Sequence, residues 1–209
     1  ILNATAFKGE WKKTYFDEDI SKGTFADYDG NISDVTMLHS IESSYVENIH
    51  FTGIVKPYKD DEFSFMALLP KRRFSKAMEL AIKSTDLNDI FKKRKHETVV
   101  TMIPEFKASS EIDLKEYLTK KNVKTIFTNE ADFGNMSTAD LKVDYIKHKA
   151  VIEVDREGTR AAAVTFAAVE VGCAEPSRPK TVILDRPFFY AIMHNETGMP
   201  VFAGVMNKA

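Results

Sequence analysis

Glu157-Gly158-Thr159-Arg160-Ala161-Ala162-Ala163-Val164-Thr165-Phe166-Ala167-Ala168-Val169-Glu170-Val171-Gly172-Cys173-Ala174-Glu175-Pro176-Ser177-Arg178-Pro179 is the stretch whose reading decides the fold. It is too long for an ordinary connection between two elements, and loops of such length inside a domain are usually functional. It is also too apolar for a solvated linker. Its small residues at alternate positions suit a strand that must fit tightly between two others. A segment of strand-like composition in the place of a loop is the most informative feature of the chain.

On either side lie strands. Residues 143–154 alternate, with Ile146, His148, Ala150, Ile152 and Val154 on one face. Downstream, residues 180–184, 188–193 and 200–206 read as three strands, the last two joined by the turn Asn195-Glu196-Thr197-Gly198. Upstream, residues 1–15 read as a strand ending in charge, and Asp29-Gly30-Asn31 as a turn between extended segments. Residues 49–57 and 62–70 are strands around the turn Lys59-Asp60-Asp61. Helical spacing appears only in residues 75–95, with Met78, Ala81 and Ile82 and then a second short helix over 86–90, and in residues 114–121, where Asp113 is a good cap. Residues 96–107 are β-rich. The expected class is α+β, with mixed and antiparallel sheets and packed helices. Residues 1–7 are apolar and β-branched from the first position, without cap or turn, which leads us to expect further chain before them.

Composition narrows the function. The 209 residues suffice for one domain with a sizeable core. A formal net charge of −2 gives no reason to expect a nucleic-acid partner, and no run of about eighteen apolar residues is present to span a membrane. The single cysteine, Cys173, leaves no internal disulfide. No dinucleotide fingerprint, P-loop, zinc-protease motif, Cys-x-x-Cys or nucleophile elbow occurs, so an enzyme is not expected. Asp27–Asn31 faintly resembles a calcium loop, but Ile32 and Leu38 stand where glycine and glutamate are needed, and no metal site is expected. Cys173 lacks a neighbouring charge to activate it and reads as a free thiol. Lys92-Lys93-Arg94-Lys95 reads as a solvated helix end sooner than a polyanion site.

Several segments, taken in order, resemble the serpin family. Asn3-Ala-Thr-Ala-Phe-Lys-Gly-Glu-Trp11 is similar to the family's strand that ends in tryptophan. Pro57-Tyr58, Ser64-Phe-Met66 and Leu69-Pro70 continue the likeness. His148-Lys-Ala150, then Glu157-Gly-Thr159 and the alanine run, resemble the family's hinge. Asp185-Arg-Pro-Phe188, Asn195-Glu-Thr-Gly198 and Phe202-Ala-Gly204-Val-Met-Asn207 resemble its C-terminus. The likeness covers essentially the whole chain.

The resemblance implies a serpin fold of three sheets, of which this chain would be the C-terminal part, with about the first half of the domain absent or supplied by another chain. It implies no cofactor and no metal. It implies a serine protease inhibitor of the suicide-substrate kind, whose cut loop enters a sheet as a new strand, a mode for which serpins are the standing example. The reactive-centre loop would span about 158–180. Its hinge would be Glu157, Gly158, Thr159, Ala161, Ala162 and Ala163, and Thr159, Ala161, Ala163 and Thr165 would form the inserting face, all of them small. Counting fourteen residues from Thr159 puts the reactive bond at Gly172–Cys173, with Val171 and Ala174 as alternatives, so the target protease would be elastase-like or subtilisin-like. Asn3 and His148 match the shutter, and would hydrogen-bond across the point where the sheet opens. Trp11 matches the breach, where insertion starts. Arg156 stands where the family usually has glutamate, and Glu105 where it usually has lysine, so a hinge ion pair with swapped ends is expected. The partner would be the protease, in a covalent acyl-enzyme complex. The resemblance points to an extracellular setting, with the cytoplasm also open. A non-inhibitory binding protein on the same scaffold, and an inactive fragment, are the other readings.

Overall fold

The computed structural model of the protein describes residues 1–159 and 179–208. The chain divides into two compact units, Ile1–Phe7 with Lys107–Ile152, and Lys8–Phe106 with Glu153–Ala209. In chain order the strands are β1 (Leu2–Ala6), β2 (Gly9–Glu10), β3 (Ile20–Ala26), β4 (Ile32–Glu47), β5 (Phe51–Pro57) and β6 (Phe63–Pro70). The helices α1 (Lys76–Lys83) and α2 (Leu87–Lys92) follow, then β7 (Lys95–Pro104), β8 (Phe106–Asp113) and α3 (Lys115–Lys120). The remaining strands are β9 (Lys147–Val154), β10 (Gly158–Thr159), β11 (Lys180–Ile183), β12 (Phe188–His194) and β13 (Pro200–Met206).

The first unit is built on a three-stranded sheet in the order β1-β9-β8, with β1 and β9 parallel. The cap position of α3 falls on Leu114, which makes no side-chain cap bond; Asp113, one residue earlier, accepts the backbone N–H of Lys115 at 3.0 Å, and that bond first of all holds its pKa below the usual carboxylate value.

The second unit is built on an eight-stranded sheet in which β11-β7-β4-β5-β6-β12-β13 lie side by side and β3 adds to β4. The long apolar runs fill its centre. Phe65, Ala67, Ile54 and Ile192 are fully buried, as expected of strands covered on both faces. The helices α1 and α2 pack their apolar side on it: Met78 and Phe91 join Val46, Phe51, Met66, Leu68 and Phe189 in one core cluster. Asp86 caps α2, accepting from the N–H groups of Asn88 and Asp89. The hairpin from β12 to β13 turns at Gly198, with φ 69°, where an added Cβ would stand 2.6 Å from Asn88 Oδ1. The mixed sheets with few helices agree with the class expected. Residues 1–15, expected as one strand, instead divide into β1, β2 and an irregular segment that carries the site.

Candidate functional site

The site is the place where β9 ends and the chain turns towards residue 160. At Asp155 the strand gives way to a tight turn. The Asp155 carboxylate accepts the N–H groups of Glu157 at 2.9 Å and Gly158 at 3.1 Å, an arrangement for which aspartate is favoured. Gly158 follows with φ 139°, and Gly158–Thr159 then pairs antiparallel with Gly9–Glu10.

Three successive carbonyls of this turn are held by one short segment. Trp11 Nε1 donates to the Asp155 carbonyl at 2.9 Å. The backbone N–H of Tyr15 donates to Arg156 O and that of Trp11 to Glu157 O, both at 3.1 Å. The segment Trp11–Tyr15 is therefore the seat on which the turn Asp155–Gly158 rests. Trp11 is 1% exposed. It stacks on Tyr58 with centroids 4.7 Å apart and 8° between planes, and meets Phe65 edge-on. Such a ring is fixed by packing, so its N–H is aimed.

Under this seat lies a buried polar network. Lys56 Nζ donates to Glu42 Oε1 at 2.7 Å, with the two side chains 1% and 8% exposed. Ser40 Oγ donates to the same carboxylate oxygen at 2.7 Å and lies 3.4 Å from the Tyr15 hydroxyl. The Lys56 ammonium stands 4.5 Å from the Tyr15 ring centre and 5.4 Å from that of Trp11. Burial alone would pull the Lys56 pKa down, yet the Tyr15 hydroxyl and the Glu42 carboxylate hold it above its ordinary value. Burial likewise pushes the Tyr15 hydroxyl up, against the pull of Lys56.

The sequence-derived residues fall out as follows. Glu157, Gly158, Thr159 and Trp11 come together at this turn. Asn3 and His148 are register partners in the parallel pair of the first unit, but the hydrogen bond expected between them is not formed among the described residues. Asn3 Oδ1 instead accepts the hydroxyl of Thr5 at 3.2 Å, a neighbour on the same face of its own strand. The ion pair expected between Arg156 and Glu105 is also corrected. Arg156 Nη1 donates to Asp17 Oδ1 at 2.7 Å, because the bond from Tyr15 N to Arg156 O lays residues 15–17 alongside this turn. Glu105 is held by its backbone, its N–H donating to Thr36 O. Ala161, Ala162, Ala163, Val171, Gly172, Cys173 and Ala174 lie outside the described residues. Among the described residues no group of three or more histidine, cysteine or acidic side chains would hold a metal.

Tyr15, Asp17, Ser40, Glu42 and Lys56 were missed from sequence. Only Lys56 left a signal, as a lone charge in the run Ile54-Val55-Lys56-Pro57-Tyr58. The Arg156–Asp17 pair sits at the surface, Asp17 being 95% exposed. Arg156→Glu is therefore expected to cost no more than about 1 kcal/mol in urea unfolding, and Asp17→Arg in the same molecule to restore the loss. A double reversal as unstable as the single one would show that the pair does not form in solution.

At the far end of the undescribed stretch the chain resumes in β11, parallel to β7 with Lys180 opposite Val99.

A family model described as "Serpin (serine protease inhibitor)" matches residues 1–209. The chain is 31% identical over 219 residues to human (Homo sapiens) glia-derived nexin, covering 100% of this chain and 54% of that one. It is 28% identical over 221 residues to the leukocyte elastase inhibitor of Bos taurus, covering 100% of this chain and 58% of that one. The crystal structure of the thermophilic serpin tengpin in its native state superposes with a TM-score of 0.86 at 32% identity, covering 100% of this chain and 55% of that one. The chain thus spans about half the length of the relatives it matches.

Proposed function

The chain belongs to the serpin family, whose members are generally protease inhibitors, and from that premise we propose that it is the C-terminal part of an inhibitory serpin that traps its target by loop insertion. The observation that carries this reading is the hinge. The residues Asp155–Gly158 are folded into a turn seated on Trp11–Tyr15, and they lead directly into Thr159, Ala161, Ala163 and Thr165, an alternating set of small side chains. A strand that enters between two others needs such a set on the face that turns inward, since bulky or charged groups there would clash or lose their partners.

In this reading a serine protease attacks the loop at Gly172–Cys173, with Val171 and Ala174 as the neighbouring alternatives, and is carried off as an acyl-enzyme. Small and aliphatic residues around the bond suit a shallow specificity pocket, hence an elastase-like or subtilisin-like enzyme. The relative named for leukocyte elastase supports that class. The remainder of the domain, joined to this chain or supplied as a separate one, completes the sheet that receives the loop, and the setting is extracellular.

The test is incubation of the complete molecule with elastase and with subtilisin. A covalent complex that survives SDS, with a released peptide beginning at Cys173, is the expected result. A peptide beginning at Thr181 would reassign the target to a trypsin-like enzyme. Complete turnover without any complex would leave a non-inhibitory protein on the same scaffold.

A further inference from the structure

We infer that Lys56 and Glu42 form a buried ionic clamp, in which the Lys56 ammonium fixes the Trp11 and Tyr15 rings and so sets how readily Asp155–Thr159 leaves its seat. Both are positioning residues. Neither touches the hinge, and each acts through the two aromatic side chains and their neighbouring backbone.

Three facts carry the inference. The first is that the pair is not explained by the stability of the core. Two charges buried together gain about as much from each other as they lose in leaving water, and apolar residues of the same size would serve as well or better. Lys56 belongs to a strand in which Ile54 and Val55 beside it are buried and apolar. A charge kept there has a task other than packing. The second fact is geometry. The ammonium lies within cation–π reach of two rings at once, 4.5 Å from Tyr15 and 5.4 Å from Trp11, and such contacts are strongest where water is excluded. Glu42 aims the ammonium, and Ser40 ties Glu42 back towards the Tyr15 hydroxyl. The third fact is what the two ring residues hold. Trp11 and Tyr15 supply all three of the donors that bind the carbonyls of Asp155, Arg156 and Glu157. Loosening the rings loosens the whole seat, whereas β12, separated from Lys56 by β6, supplies none of these donors.

The consequence deepens the inhibitory reading and rests on it: a firm clamp would delay loop entry, and a loose one would hasten it. The clamp itself can be measured without any protease. Amide hydrogen exchange would be followed in the complete parent molecule, in its Lys56→Met variant, and in the double variant Lys56→Met with Glu42→Gln. The double variant keeps the volume and leaves no charge unpaired, so it carries the test where the single variant does not fold. We expect the amides of Trp11 and Tyr15 to exchange about tenfold faster in the double variant, with the β12 amides unchanged within about twofold. Parent-like exchange at Trp11 and Tyr15 would overturn the clamp, as would an equal acceleration in β12, which would mean general loosening of the core. The two readings fail separately. Absence of an SDS-stable complex with faster exchange sinks inhibition and leaves the clamp, and a complex with parent-like exchange does the reverse.

Discussion

A single cut after Gly172 in the complete molecule is expected to raise its melting temperature by about 10 °C or more. The reason lies in the count of backbone bonds. Residues 159–172 are fourteen residues, about 45 Å of extended chain at about 3.3 Å per residue. Entering a sheet as a central strand, they would form on the order of ten new hydrogen bonds at about 1 kcal/mol net each. A gain of about 10 kcal/mol rivals the whole stability of a typical domain, and at about 1 °C per kcal/mol for a molecule roughly twice as long as this chain it lies far outside experimental error. The uncut form is then kinetically trapped. Differential scanning calorimetry before and after clean cleavage, confirmed by mass spectrometry, reads the effect. An unchanged melting temperature would sink loop insertion and favour the non-inhibitory reading. Cleavage placed outside the loop, for example in the exposed turn Lys59-Asp60-Asp61, serves as the control and should not stabilise.

Much of the sheet was legible because its strands are apolar enough to declare themselves. The strands β5, β6, β12 and β13 lie where alternation and turn residues put them, to within a residue or two. Residues 32–47 were not legible as the single long strand β4. Ser33, Asp34, Thr36, His39, Ser40, Glu42, Ser43 and Ser44 give it a loop-like composition. It is a strand nonetheless because its edges are paired along its length, to β3 and β7 and then to β5, and backbone pairing outweighs local preference. The division of residues 1–15 has a similar cause. The partner of Gly9–Glu10 is Gly158–Thr159, nearly the length of the chain away in sequence, and no local pattern reports so distant a pairing.

The turn at Asp155–Gly158 was half legible. Gly158 and Trp11 stand out by residue type, and both lie at the turn. The ion partner of Arg156 does not follow from charge pattern alone. Asp17 and Glu105 are equally plausible as sequence, and the choice is made by a backbone bond from Tyr15 that no side-chain pattern encodes. The Lys56–Glu42 pair shows the same limit. A lysine in an apolar run signals that something is buried with it, but the partner sits on another strand, in a stretch that reads as polar loop.

Gly158→Ala is a substitution from which we expect a large loss of stability for one added carbon. The φ of 139° at this residue is one that side-chain-bearing residues rarely adopt. An added Cβ would stand 2.2 Å from Gly9 O, 2.6 Å from Glu10 Cα and 2.8 Å from Trp11 N. All three are backbone atoms, so no side chain can swing aside to make room. Either β10 leaves β2 or the Trp11 segment shifts, and the bond from Trp11 N to Glu157 O lies in the path of both. Backbone strain of about 1–3 kcal/mol, with one or two hydrogen bonds of about 1 kcal/mol each, gives an expected loss of about 3–4 kcal/mol in urea unfolding. Gly134→Ala is the matched control. Its nearest neighbour to an added Cβ is the Asp132 carboxylate at 3.2 Å, an exposed side-chain oxygen that can shift by a few tenths of an ångström while keeping its bond from Gly134 N, and its cost should stay below about 1 kcal/mol. Should Gly158→Ala prove as mild as Gly134→Ala, the turn would have another conformation in solution, and its seating on Trp11–Tyr15 would fall with it.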